Sequence, residues 1–299
     1  MAYVASNAAS LLEGSGVDPI QVDRDVREHR LDPTVFARYY ELVLSLQRGQ
    51  RDEAQRLYRE IADRSRGAAA FAVLPFGERD FGPEAERYQR WLSPGQTGSG
   101  LVRAPVKEDW AAFSAGVPAA LALIAAADSD LAAELRSCVV RIVGASDNPE
   151  GPRSFGGASS FMLWGAVFLN VALHRTRTEI AAGLVHESAH QVLFALSCRE
   201  PVVANALDAR FASPLRRDPR PIIGVYHATF VCARMGYAFR AMLAGACGLA
   251  RDERADLGDQ LDKARADFAK GFVTLQESGH LTDLGRRLLD EAAASLEVD

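Results

Sequence analysis

Apolar residues recur three and four positions apart over most of the chain, and this spacing predicts a mainly helical protein. Two early segments follow it, "DPTVFARYYELVLSLQRG" and "DEAQRLYREIADRSR", with Asp32-Pro33 and residues 50–52 as plausible helix starts. The same periodicity covers a helix around residues 108–136 and the C-terminal segment that begins at Gln260, where we expect Thr282 to cap a helix.

Two central segments carry a β pattern instead. "SCVVRIVGA" (137–145) is rich in β-branched residues, and "SSFMLWGAVFLNVAL" (159–173) predicts one hairpin or two short strands around Trp164-Gly165. The expected fold class is therefore α+β and mostly helical, with a small β-sheet just before the helix that follows and an N-terminal helical region. The segment "SPGQTGSG" (93–100) predicts a boundary, which divides the chain into a helical region, 1–95, and a second domain, 96–299.

Composition narrows the class of function. The chain has 299 residues, 48% of them hydrophobic, and a net charge of -5, so it lacks the basic surface that nucleic-acid binding requires. The N-terminus lacks the pattern of a signal peptide, and "GVPAALALIAAA" (116–127) reads as a buried helix too short to span a membrane. The four cysteines are scattered and suit a reducing compartment. We therefore expect a cytoplasmic protein without nucleic-acid or membrane partners.

The most informative segment is "TEIAAGLVHESAHQVLFALS" (178–197), which places His186, Glu187 and His190 in an apolar helix. Positions four apart share one face of a helix, so both imidazoles can reach one ion, and this is why the H-E-x-x-H pattern holds a divalent metal. In hydrolases of this type the glutamate acts as general base toward a metal-bound water. The alternative is a pair of buried histidines bonded to backbone carbonyls, but burying such polar groups is costly without a partner.

The third metal ligand is not fixed by this motif. Metallopeptidases with a nearby third histidine need glycine and histidine where this chain has Leu193 and Leu196, so that class is excluded. His227 is the better candidate, because it lies in an apolar segment, "PIIGVYHATFVCARMGYAF", that can return alongside the first helix. The carboxylates of Glu200 and Asp208 remain alternatives, with Glu187 and Asp218 as further ones.

An arginine-rich loop, "SPLRRDPRPIIG" (213–224), precedes the His227 helix. Arg216, Arg217 and Arg220 crowd the start of that helix, where guanidinium groups and free backbone N–H groups can bind an anion. Such a site suits a peptide carboxylate or a keto-acid cosubstrate. The alternative is a solvated loop in which Asp218 is the internal partner of an arginine.

These motifs resemble a known family, the H-E-x-x-H proteins found with gene clusters for ribosomally made, modified peptides (RiPPs). The resemblance rests on "LVHESAH" (184–190), on "SPLRRDPRPIIGVYHATFVCARM" (213–235) and on "GAVFLNVAL" (165–173) ahead of them, and it covers roughly residues 100–299. Members of that family are 2-oxoglutarate-dependent peptide β-hydroxylases.

The resemblance implies a zincin-like helix reused for Fe(II) and O2 chemistry. Iron would be held by His186, His190 and His227, and the distal carboxylate of 2-oxoglutarate would pair with an arginine of the loop, with Arg220 preferred because it lies nearest the helix start. The implied substrate is a ribosomal precursor peptide, hydroxylated at a side-chain β-carbon. Most oxygenases with this cosubstrate use two histidines and one carboxylate, so a third histidine departs from the common pattern.

Two other functions fit the same residues. The first is a zinc metallopeptidase that cleaves a peptide with Glu187 as general base. The second is a non-catalytic partner that binds a precursor peptide and recruits it to another enzyme; the intact H-E-x-x-H set argues against that function.

Overall fold

The structure, a computed structural model, describes residues 15–92, 100–150, 154–213, 218–245 and 247–297. Within these ranges the chain forms eleven α-helices and a five-stranded mixed sheet, so the predicted α+β, mostly helical class is confirmed. The helices are α1 Pro19–Glu28, α2 Pro33–Gln47, α3 Arg51–Ser65, α4 Glu78–Phe81, α5 Glu84–Leu92, α6 Lys107–Ala127, α7 Ser129–Cys138, α8 Arg177–Leu196, α9 Ile222–Ala244, α10 Arg251–Ser278 and α11 Asp283–Glu297. The strands are β1 Ala72–Pro75, β2 Val102–Arg103, β3 Arg141–Asp147, β4 Gly157–Ser159 and β5 Ala166–Asn170.

The chain divides into two compact units, each built from two segments. The sheet unit is Met1–Trp110 with Cys138–Ala172, and the helical unit is Ala111–Ser137 with Leu173–Asp299. This interleaved division differs from a single cut near residue 95. Residues 93–99 of the expected boundary segment lie outside the described residues, so the division into 1–95 and 96–299 stays a prediction.

The sheet unit is organised around β3. This strand runs parallel to β1 and to β5, with Arg141 opposite both Ala72 and Ala166, while β4 pairs antiparallel with β5 and β2 pairs antiparallel with the end of β3. Every residue of β5 is buried, as expected for a strand covered on both faces. The segment 159–173, predicted as a hairpin or two strands, contributes Ser159 to β4, a short 3-10 turn and β5.

Helices α1–α3 form the second layer of the sheet unit. Asp32 caps α2 as expected, because its carboxylate accepts a hydrogen bond of 3.0 Å from the backbone N–H of Thr34. At the predicted start of α3, Gln50 makes no side-chain cap. The Arg38 guanidinium, 3% exposed, binds the carboxylates of Glu60 at 2.8 Å and Glu84.

Two features were not expected from the sequence. The Gly- and Pro-rich region after α3 contains β1 and α5, and β1 lacks a clear pattern because it is a half-buried edge strand that ends at Pro75. The helix expected over 108–136 is two helices, because the Asp128 carboxylate accepts the backbone N–H groups of Asp130 and Leu131 and so starts α7.

Helix α6 corrects another expectation. It is long and apolar enough to cross a membrane by length and composition, with no charged residue from 110 to 127, whereas the sequence was expected to contain no such stretch. Its buried residues follow the helical spacing of one protein-facing side, as core helices do. They are Phe113, Val117, Ala120, Leu123 and Ile124.

The helical unit is centred on α9, which packs against α8, α10 and α11. The Tyr226 hydroxyl donates a 2.7 Å hydrogen bond to the Gly285 carbonyl of α11. Gly236 lets α11 approach closely, since a Cβ there would lie 2.5 Å from Leu296 Cδ2. Thr282 caps α11 as predicted, with its hydroxyl accepting the Gly285 N–H at 3.1 Å. Helix α9 is therefore held on several sides within this unit.

Candidate metal centre

The start of the H-E-x-x-H helix, α8, is fixed by a capping box. The Thr176 hydroxyl accepts the Glu179 N–H at 3.2 Å, and the Glu179 carboxylate accepts the Thr176 N–H at 2.9 Å. Arg177 then makes two 2.7 Å hydrogen bonds to the Glu253 carboxylate at the start of α10. The first turn of α8 is thus tied both to its own cap and to a neighbouring helix.

Helix α8 is buried on most sides, as expected for a helix of small and apolar residues. Close packing is visible at Gly116 of α6, where a Cβ would lie 2.8 Å from Ile180 Cδ1. His186, His190 and Phe194 follow one another at four-residue spacing and are partly buried, so they share one face of α8.

Helix α9 brings His227 to this face. The rings of His190 and His227 are stacked, with centroids 5.6 Å apart and planes 23° apart, and their Nδ1 atoms are separated by 3.4 Å. The rings of His186 and His190 meet edge to face at 5.3 Å. Phe194 lies against both His190 and His227, at 6.3 and 5.5 Å between centroids. Three imidazoles from two helices thus form one continuous cluster, which we call the histidine cluster.

Burial keeps two of these imidazoles neutral. It lowers the pKa of His227 from 6.5 to about 4. The pKa of His190 is held well below its ordinary value, first by burial and then by the neighbouring His186 and His227. Both side chains are therefore uncharged at pH 7 and retain a nitrogen lone pair, the form in which histidine binds metal ions.

Glu187 and Met235 flank His186. The Glu187 side chain is 5% exposed, and its Oε1 lies 3.9 Å from His186 Nε2. On the other side, His186 Nδ1 lies 3.3 Å from the Met235 sulfur of α9, close enough for an N–H···S hydrogen bond. A proton on Nδ1 places the lone pair of His186 on Nε2, and the contact with Met235 favours this tautomer.

The donor chemistry of the histidine cluster fits a borderline divalent ion such as Fe(II) or Zn(II), for which imidazole is a preferred ligand. Two nitrogens bound to one ion at about 2.1 Å lie roughly 3.0 to 3.4 Å apart, and the Nδ1 atoms of His190 and His227 have this separation. His186 provides a third imidazole, but it is not placed to bind the same ion as the other two. Among the residues that the structure describes, no group of three or more His, Cys, Asp or Glu side chains is placed to hold a metal ion.

Of the alternative carboxylate ligands, Glu187 is buried beside His186 and the other three are on the surface. Glu200, Asp208 and Asp218 are exposed. Asp218 instead lies 2.8 Å from Arg220 Nε, the internal pairing considered as the alternative to an anion site.

Of the three loop arginines, Arg216 and Arg217 lie outside the described residues. Arg220 directly precedes α9 and pairs with Phe211 in a β-bridge through two 2.8 Å backbone hydrogen bonds. Pro221 gives α9 no side-chain cap, so its first backbone N–H groups are not satisfied by a capping side chain. The first helical residue, Ile222, is five residues from His227, or about 7.5 Å along the axis.

Phe194 and Met235 were not predicted from the sequence to belong to the site. A signal existed for both: Phe194 continues the four-residue spacing of the two motif histidines, and Met235 lies eight residues, about two turns, after His227 on α9. Their contacts with the cluster arise only when α8 and α9 pack side by side.

Comparison with known proteins does not assign the chain to a family. No family model matches the chain, and no curated protein matches its sequence. The resemblance to the H-E-x-x-H peptide hydroxylases therefore stays a prediction from the motifs.

Proposed function

We propose that the protein is an Fe(II)- and 2-oxoglutarate-dependent oxygenase that hydroxylates a side-chain β-carbon of a ribosomally made precursor peptide. The observation that carries the proposal is the histidine cluster, in which His227 joins the two histidines of the H-E-x-x-H helix. Two of the three imidazoles are neutral and at ligand spacing, and imidazole suits non-haem iron.

Each part of the cluster has a role in this proposal. His186, His190 and His227 would hold the iron and leave its remaining positions open. With 2-oxoglutarate and O2, iron held there would supply the oxidation, in which one oxygen atom would enter a C–H bond of the peptide and the other succinate, with loss of CO2. Phe194 lies against both His190 and His227 and would shield their rings from water. Met235 would favour the tautomer of His186 whose lone pair is on Nε2.

The cosubstrate would be positioned by the start of α9. The uncapped first turn offers backbone N–H groups to a carboxylate, and Arg220 lies at the same end. For Arg220 to bind the distal carboxylate of 2-oxoglutarate, that carboxylate must compete with Asp218, which is 64% exposed and therefore weakly held. Arg216 and Arg217 remain the alternative partners.

A zinc metallopeptidase is the second candidate. Its support is Glu187, a buried carboxylate 3.9 Å from His186 Nε2, since a glutamate at this position of the motif is the general base in that class. In this reading the same imidazoles would bind Zn(II), and Glu187 would take a proton from a water molecule that attacks a peptide bond.

Cytoplasmic location is part of the proposal. Cys138, Cys198, Cys232 and Cys247 are all free thiols, as expected for a protein from a reducing compartment. Iron in its ferrous state and precursor peptides made on ribosomes are both found there.

The deciding experiment measures succinate. Protein purified without oxygen, reloaded with Fe(II) and given 2-oxoglutarate and air should form succinate slowly even without a peptide, and His186→Ala should abolish this. His280→Ala is the matched control, because His280 is exposed and distant in sequence from the motif. Glu187→Gln should weaken but not abolish succinate formation.

The opposite outcome is equally clear. The peptidase would replace the oxygenase as the proposed function if three results were found together. These are one bound Zn(II) per chain, no succinate, and peptide cleavage that requires Glu187.

A further inference from the structure

The sheet unit contains a polar cavity that the proposed chemistry does not use. It has a volume of about 710 Å³ and lies between α2, the start of α3 and α5. This volume is within the range of small-molecule and peptide-fragment sites. We call it the arginine cavity, because its charged lining consists of Arg48, Arg56, Arg87, Arg90, Glu41 and Glu53.

The charges in this lining are partly paired. Four arginines and two glutamates line the cavity, and Glu60 and Glu84 outside the lining bind Arg56 and Arg87 as well. Arg87 and Arg56 are occupied by carboxylates, at 3.0 Å from Glu41 and 2.6 Å from Glu53. The cavity therefore has a fixed, paired inner part.

Two arginines at the rim have guanidinium groups left to bind a ligand. In the described part of the chain Arg48 makes no salt bridge, and its side chain is exposed. Arg90 is 65% exposed, and its closest carboxylate oxygen, on Glu41, is 3.8 Å away, too far for a hydrogen bond. Since guanidinium groups bind carboxylates and phosphates in a two-pronged geometry, these two residues define an anion-binding rim.

The remaining lining selects among anions. Glu41 and Glu53 would repel a polyphosphate or a nucleic-acid backbone, which carries negative charge at every unit. A peptide instead presents carboxylates together with backbone N–H donors and apolar side chains. The glutamates can accept those donors, and Leu44 and Trp91 supply an apolar contact on the same lining.

We infer that the arginine cavity is a binding site for an acidic peptide segment, whose carboxylates pair with Arg48 and Arg90. The site lies wholly within the sheet unit and does not depend on a metal ion. It gives the sheet unit a recognition role that is separate from the chemistry proposed for the histidine cluster.

The test uses fluorescence anisotropy with a labelled, end-blocked peptide of sequence Asp-Glu-Leu-Asp-Glu-Phe on the full-length protein. The matched peptide Asn-Gln-Leu-Asn-Gln-Phe removes only the charges. We expect the acidic peptide to bind at least tenfold more tightly than the amide peptide, and its affinity to fall as salt is raised.

Variants locate the site. Arg48→Glu with Arg90→Glu should weaken binding of the acidic peptide at least tenfold. Arg59→Glu should change it less than twofold, because Arg59 lies on the same helix as Arg56 but outside the cavity lining. Circular dichroism should be unchanged in these variants, so that weaker binding is not due to unfolding. Metal content should also be unchanged, which separates this site from the histidine cluster of the proposed oxygenase.

Three results would overturn the inference: no binding of the acidic peptide up to 1 mM, equal binding of the two peptides, or equal weakening by Arg59→Glu. Displacement of the peptide by a lower concentration of inorganic tripolyphosphate, compared at equal ionic strength, would also overturn it and assign the rim to polyanions.

Discussion

The two polar clusters of this protein are built on opposite electrostatic principles. In the sheet unit, Arg38 and Arg87 meet carboxylates; burial raises the pKa of Glu84, but hydrogen bonds from these two arginines outweigh it, so the net pKa is lowered and the glutamate stays charged. In the helical unit, burial without an acidic neighbour keeps His190 and His227 neutral. The first arrangement satisfies its charges internally, whereas the second leaves nitrogen lone pairs open to a cation.

This comparison predicts that the two clusters fail in different ways. Loss of the buried Arg38 removes hydrogen bonds to two charged carboxylates and weakens the fold. Loss of a neutral imidazole removes a donor but leaves no buried charge, so it should affect ligand binding more than stability.

The largest expected effect is on metal binding by His190→Ala. His190 is the central ring, in contact with both other histidines, and losing a ligand should cost more than losing a supporting residue, which weakens metal affinity by roughly 10- to 100-fold. We expect metal content after Fe(II) or Zn(II) loading to fall to background, measured by mass spectrometry of the metal. Full metal content in His190→Ala would remove the histidine cluster as a metal centre.

The second effect is on stability, through Arg38→Met. This change removes the buried guanidinium that binds both Glu60 and Glu84, while Arg56 still binds Glu60 and Arg87 still binds Glu84, so we expect a loss of about 1.5 to 3 kcal/mol in free energy of unfolding. Urea unfolding should show this loss, while metal content stays that of the parent. Arg59→Met, at an exposed position, should change the free energy by less than about 0.5 kcal/mol.

The third effect is a pH dependence of the metal-free protein. The unfolded chain titrates its histidines near 6.5, but His227 in the folded protein has a pKa of about 4, so the unfolded state binds more protons between these pH values. The free energy of unfolding should therefore fall as pH is lowered from about 6.5 to about 4. His227→Phe should flatten this dependence, and an equally steep dependence in His227→Phe would contradict it.

The free energy of unfolding at lower pH, below about 4.5, tests the charged pairs. The Arg177 hydrogen bonds lower the pKa of Glu253 from 4.5 to about 2, so its stabilising contribution is complete above pH 4.5 and is lost as pH falls through 2. Glu253→Gln should make the loss of stability in that lower window smaller and leave the upper window unchanged.

The smallest effect concerns Arg220→Ala. Loss of one charge-assisted hydrogen bond should raise the 2-oxoglutarate concentration needed for half-maximal succinate formation by about tenfold, without changing metal content. An unchanged requirement would transfer this role to Arg216 or Arg217.

Local signals predicted those parts of the molecule whose structure is decided locally. The β-branched run of β3, the cap of α2 at Asp32 and the His186/His190 spacing all depend on neighbours within a few residues. They could therefore be predicted from the sequence.

Non-local contacts account for what the sequence did not reveal. Strand β1 exists because it pairs with β3, nearly seventy residues later, and its own pattern is weak. Met235 and Phe194 join the histidine cluster only through the packing of α8 against α9. His227 could be placed from the sequence because the motif required a further ligand, whereas no such requirement pointed to Met235.

The interleaved units have a consequence for synthesis of the protein. Strand β1 leaves the ribosome long before β3 and β5 exist, and the sheet unit is complete only after Ala172 has emerged. Residues 111–137, which hold most of the apolar helix α6 and of α7, belong to a unit whose remaining helices begin at Arg177. During translation α6, which ends at Ala127, waits about 50 residues for these later helices, which at 5–20 residues per second is a delay of roughly 2.5 to 10 seconds. It is therefore the segment of the nascent chain that we expect chaperones to shield first.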